Sequence, residues 1–169
     1  GGNGEDIKGP FFAQLQFERK ISMYIGERFI LRDPSAASTI GGGIILDPLA
    51  IKYRVKNAND LACFLKRRIR LNLRELVLTE IEKVRFIEKE ELLINSCYSS
   101  TEISACVNEL VLANRLVIKA PYIVGFLFWS EQSEKLLNYL NKAHKANPLD
   151  DGVPQSTMTA FLGLPKELL

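Results

Sequence analysis

Between residues 52 and 74, eight basic side chains (Lys52, Arg54, Lys56, Lys66, Arg67, Arg68, Arg70 and Arg74) stand against a single acid, Asp60. Positive charge at that density neutralises phosphates, so its natural chemistry is contact with a nucleic-acid backbone. Arg67, Arg70 and Arg74 fall at i, i+3 and i+7, the spacing of one helical face, with Lys66 beside them. The competing reading is an ordinary solvated face at a domain junction, part of whose charge is absorbed by the acids around Glu88, Glu90 and Glu91. Elsewhere acids outnumber bases, 19 to 14, which brings the net charge of the 169 residues to +2, so the whole positive excess sits in this segment.

No catalytic constellation accompanies it. The chain has no Gly-x-x-x-x-Gly-Lys-(Ser/Thr) loop, so GTP phosphates find no cradle. Gly41-Gly42-Gly43 runs into Ile44 and reads as a twisted strand packed closely on its neighbour. The one histidine, His144, has no Ser or Cys partner at a recognisable spacing and reads as a capping or junction residue. Glu90-Glu91 and Asp150-Asp151 read as solvated faces and turns. Cys63, Cys97 and Cys106 are odd in number and widely spaced in apolar helical contexts. They are expected to be reduced core thiols, neither disulfides nor metal ligands. No apolar run approaches the ~18 residues of a membrane span, and no signal peptide opens the chain. The expectation is a cytoplasmic protein that holds no metal or cofactor of its own.

The elements that must position these residues follow two periods. From Phe11 to Leu46 the pattern alternates, with Ala13, Leu15 and Phe17 against Gln14, Gln16 and Glu18. Half-buried antiparallel strands require this alternation, and four are readable near 12–18, 20–25, 28–32 and 40–46. After Pro48 the period becomes helical. Leu61, Phe64, Leu65 and Ile69 form one face of a basic helix over 59–70 that Asn59 or Asp60 can cap. Further helices are predicted at 72–84, near 88–96 and at 99–113, the last opened by the capping box Ser99-x-x-Glu102. Residues 116–128 read as two strands turned at Pro121, and Ser130 can cap a helix to about 145. A short helix at 155–161 and the start of another at 164–169 close the chain. Helices followed by a two-stranded wing are the order of a winged-helix domain.

The string Gly26-Glu27-Arg28-Phe29-Ile30-Leu31-Arg32-Asp33-Pro34, running on to Thr39-Ile40-Gly41-Gly42-Gly43-Ile44-Ile45-Leu46-Asp47-Pro48, resembles the closing hairpin of the last β-barrel in EF-Tu-like translation factors. Its three-glycine form ending in Leu-Asp-Pro is similar to the selenocysteine-specific elongation factors, the SelB branch. His144-x-x-Asn147-Pro148-Leu149-x-x-Gly152-x-Pro154 resembles that family's junction between its first two winged helices. The fold expected is therefore a multi-domain α+β chain, a partial antiparallel EF-Tu-like barrel followed by a winged helix and the start of a second. Its parts are 1–48 (end of the third EF-Tu-like domain), 49–71 (basic connecting helix), 72–147 (winged helix) and 148–169 (a second one begun). A six-stranded barrel would need about two more strands before residue 1, so open strand edges that strain or pair with a second copy are expected.

What the resemblance implies is an internal piece of a GTPase that delivers selenocysteinyl-tRNA to the ribosome at UGA codons marked by an mRNA hairpin. GTP and Mg would be bound outside this chain, and the hairpin would be read by later winged helices. The piece itself would be no enzyme and would link the two ends. The tip of the closing hairpin helps hold tRNA in that family, which points here to Arg32, Ser35 and Ser38. Asp33 and Pro34 depart from the glycine-rich EF-Tu-type tip, and Asp33 would repel phosphate unless it caps the turn. Arg28 and Phe29 are expected to hold the barrel together. Lys66, Arg67, Arg70 and Arg74 are the candidates for RNA phosphates. The alternative from another class is a winged-helix DNA-binding regulator with a β effector domain. The exposed positions expected on helix 99–113 (Glu102, Ser104, Ala105, Asn108, Glu109) suit a major groove badly, and the wing offers only Lys119. A third reading is a protein-interaction module that uses barrel edges.

Overall fold

The computed structural model describes residues 10–35, 38–50, 58–146, 148 and 152–169. Lys52, Arg54 and Lys56, Ala36 and Ala37 of the expected tip, and Asn147, Leu149, Asp150 and Asp151 of the expected junction lie outside them. The chain divides into two compact units, one reaching Leu71 and including Asn95–Cys97, the other formed by Asn72–Ile94 and Tyr98–Leu169.

The first unit is built on one antiparallel hairpin, β1 (Arg28–Arg32) and β2 (Thr39–Ile44). Its register pairs Arg28 with Ile44, Phe29 with Gly43, Ile30 with Gly42 and Leu31 with Gly41. A bulge between Leu31 and Arg32 then brings Arg32 opposite Thr39. The ladder continues at its open end, where Ile45 N–H donates to Glu27 O at 2.8 Å and Gly26 N–H to Ile45 O at 2.7 Å. Gly26 has φ +88, a conformation that favours glycine, and the turn lets Ile25 N–H reach Asn95 O at 2.8 Å.

Two of the four expected strands form, and 12–18 and 20–25 do not. Alternation prepares a face, but a strand exists only when its N–H and C=O groups find a ladder partner. No such neighbour lies beside 12–25 among the described residues. Phe11, Leu15, Phe17 and Ile21 are accordingly exposed, as are Ile30 and Ile40 on the hairpin.

Helix α1 spans Ala58–Arg68, with Asp60 in its first turn and Lys66, Arg67 and Arg68 in its last, complementing the macrodipole at both ends. Asn59 and Asp60 therefore lie inside the first turn, not at the cap. Leu61, Phe64 and Leu65 are half-buried as the spacing required, but Ile69 is 52% exposed and Arg68 is fully buried. The inner stripe thus ends on Arg68, whose guanidinium lies 5.1 Å from the centre of the Phe64 ring one turn earlier.

The second unit begins at α2 (Leu73–Val84), capped by Asn72, whose Oδ1 accepts from Glu75 N–H. It continues through β3 (Phe86–Glu88), α3 (Ser100–Leu112), β4 (Leu116–Lys119), β5 (Tyr122–Gly125), α4 (Phe126–Ala146) and α5 (Gln155–Leu162), and ends in a 3-10 turn at Lys166–Leu168. The strands form an antiparallel sheet in the order β3-β5-β4. Leu76, Val77 and Ile81 of α2, Ile103, Val107 and Leu110 of α3, Leu116 of β4 and Ile123 of β5 are all buried. A Cβ on Gly125 would sit 3.6 Å from Ile81, so Gly125 and its pleat-mate Ile123 face α2. Tyr122 and Val124 point to the opposite face. There Val124 packs with Leu164 and Leu168, against which Phe86, Phe128, Trp129 and Leu162 also lie.

Two expectations for this unit are corrected. The helix near 88–96 is replaced by β3 and a run of turns, because Phe86, Ile87 and Glu88 pair with Val124, Ile123 and Tyr122. Leu93, buried with φ +54, also cannot belong to a right-handed helix. Ser130 lies inside α4, not at its cap, since that helix leaves β5 directly and Phe126 N–H is already satisfied by Arg115 O. The residues from 164 onward bury two leucines on the sheet of this unit.

Candidate RNA-contact surface

The hairpin tip is organised by Asp33. Its Oδ1 accepts from Ser35 N–H at 2.8 Å and from Ser35 Oγ–H at 2.6 Å, while its own N–H donates to Ser38 O at 2.9 Å. The aspartate closes the turn in the manner of an Asx turn, the capping role that the departure from glycine left open. Arg32 and Ser38 are exposed beside it. Ser35 is exposed too, but its hydroxyl proton is spent on Asp33, leaving the oxygen as an acceptor. Of the three tip candidates, Arg32 and Ser38 keep donors for a phosphate and Ser35 does not.

Behind the tip the glycines are explained by what they face. A Cβ on Gly42 would come 2.7 Å from the backbone oxygen of Phe29, and one on Gly43 would come 2.8 Å from the Phe29 ring. Gly41 faces open space. Phe29 is half-buried over Gly43, consistent with a structural role, whereas Arg28 is exposed.

The basic cluster is rearranged relative to its spacing. Lys66 and Arg70 are exposed, Arg67 is half-buried and makes interactions of its own, and Arg68 is buried. Helix α1 stops at Arg68, Leu71 takes φ +52, and Asn72 caps a new helix. Arg74 is therefore exposed on α2, in the second unit, and does not continue the face of Arg67 and Arg70. The i, i+3, i+7 stripe needed one unbroken helix, and Leu71-Asn72 interrupts it. Arg68 was readable as internal, since it falls seven residues after Leu61 and four after Phe64.

In the second unit the one wing cation is already engaged: Lys119 Nζ lies 4.7 Å from the centre of the Trp129 ring. Arg85 and the Phe128 ring make a second such pair at 5.9 Å, with Arg85 held at φ +75. Neither contact was legible from spacing, because each joins a strand end to the first turns of α4. The cysteines divide against expectation. Cys106 is buried, while Cys63 and Cys97 are exposed, and all three are free. Among the described residues no group of three or more His, Cys, Asp or Glu is placed to hold a metal ion. No helix among them is long and apolar enough to cross a membrane.

One family model matches the stretch of chain that holds this hairpin. Residues 4–52 match the family model described as the selenocysteine-specific elongation factor, beta-barrel domain. Over that stretch the chain is similar to these translation factors. No curated protein and no solved structure matches it.

Proposed function

We propose that this chain is part of a selenocysteine-specific elongation factor, in which the first unit belongs to the tRNA-holding barrel and the second is a winged-helix module that spaces it from an mRNA-reading end. The observation that carries this reading is the family match over 4–52, which falls on the hairpin whose Gly42, Gly43 and tip have a physical reason to be what they are. The module reading is supported by the order α2, β3, α3, β4, β5 and by an antiparallel β4–β5 hairpin directly after α3. A spacing role is supported by chemistry. Helix α3 exposes Glu102, Asn108 and Glu109, and Lys119 lies against Trp129, so α3 and the wing offer phosphates little. GTP hydrolysis and hairpin reading are assigned to parts of such a factor other than this chain.

Contact with RNA is assigned to Arg32 and Ser38 at the tip and to Lys66 and Arg70 on the basic segment, with Arg67 and Arg74 secondary. The test is a titration of the chain with selenocysteine tRNA, the mRNA hairpin and duplex DNA across a range of salt. The expected result is tRNA binding that weakens with salt, and weakens further at every salt when Lys66 and Arg70 become Glu. Each lost phosphate contact should also flatten the salt dependence by about 0.7–0.9 in log–log slope. Tight, sequence-specific binding to duplex DNA would overturn the reading.

A further inference from the structure

We propose that residues 163–169 are a latch on the outer face of the β3-β5-β4 sheet, hinged at Gly163, which opens on its own and uncovers the aromatic surface of Phe86, Tyr122, Phe128 and Trp129 while α2 and α3 stay folded. This inference does not depend on the translation-factor reading.

Two side chains anchor the segment, Leu164 at 8% exposure and Leu168 at 2%, while Gly163, Lys166, Glu167 and Leu169 are exposed. Its hydrogen bonds are local: Leu168 N–H donates to Pro165 O and Leu169 N–H to Lys166 O. Closing the latch therefore gains the burial of two leucines and is opposed by the conformational entropy of the residues it orders. Elements with few buried contacts open locally before a domain unfolds. Gly163 sits at φ +64 at the end of α5, a natural pivot. On its other side α5 is tethered independently, by Phe161 stacked on Tyr139 of α4 at 4.4 Å. The surface beneath has support of its own, since Phe86 and Tyr122 meet edge to face at 5.6 Å.

Closure also places Glu167 of the latch close enough to the Tyr122 phenol to act on it. The Tyr122 phenol is pushed up from its ordinary value by burial first, then by Glu88 and by Glu167 of the latch itself, with Glu91 adding to it.

Native-state hydrogen exchange on the intact chain tests this directly. The amides of Leu168 and Leu169 should show protection lower than those of Val107 and Leu110 by a factor on the order of 100 or more. In the Leu168→Asp variant, Trp129 emission should shift to the red while α3 keeps its protection. Trp129 is the only tryptophan in the chain, so the signal has one source. Latch amides that exchange only with global unfolding would overturn the proposal. So would an unshifted Trp129 in the variant, or loss of α3 protection together with the latch.

Discussion

Gly42 is fixed by a backbone atom and Gly43 by a side chain, and the difference has a measurable sign. The oxygen of Phe29 opposite Gly42 belongs to the ladder and cannot retreat, whereas the Phe29 ring over Gly43 can turn aside. Gly42→Ala should cost the first unit about 1–3 kcal/mol, Gly43→Ala less, and Gly41→Ala within about 0.5 kcal/mol of nothing. Thermal unfolding of the three variants checks the order. A second residue-scale expectation concerns Glu102. Its carboxylate accepts from the side chain and the N–H of Ser99, which holds it below the usual range. A lowered folded-state value means that the stabilisation is fully present above pH 4.5, the ordinary value, and fades as pH falls through the folded one. Ser99→Ala should cost about 1 kcal/mol at neutral pH and remove that part of the acid sensitivity. Denaturant melts of the two proteins at several pH values would show the curves converging towards low pH.

Elements whose pairing is internal were the legible ones. Helix α3 carries its own capping box and an apolar stripe, and it forms within a residue of where Ser99 and Glu102 place it. Its stripe ends on Leu110, fully buried between α2 and the sheet. Leu110→Ala should therefore destabilise the second unit by about 2–5 kcal/mol, read from a denaturant midpoint. Elements that need a distant partner were misread in both directions. Residues 12–18 alternate as a strand should and find no ladder partner among the described residues. Residues 86–88 look like the approach to a helix and become an edge strand because β5 supplies the ladder. The single basic face is broken for a related reason. Spacing alone treats Arg67, Arg70 and Arg74 as one face, and the single residue Leu71, at positive φ, ends that continuity. Asp33, by contrast, was readable as either an obstacle or a cap, and the Ser35 hydrogen bonds decide for the cap.

At the scale of the whole molecule the two units differ in what they leave accessible. Cys63 and Cys97 are exposed in the first, and Cys106 is buried in the second, where burial first, then Glu109, push its thiol up and Arg74 partly offsets them. A colourless-to-coloured thiol assay on the native chain should titrate two groups quickly and the third only as denaturant opens the second unit. Three fast groups would mean that α3 does not hold its place. The chain therefore comes with two instruments already fitted: thiol chemistry writes on the first unit, and the lone indole of Trp129 reads from the second. A dye on Cys63 or Cys97 paired with that indole is a molecular ruler needing no added tryptophan, and removing one of the two exposed cysteines fixes its zero mark.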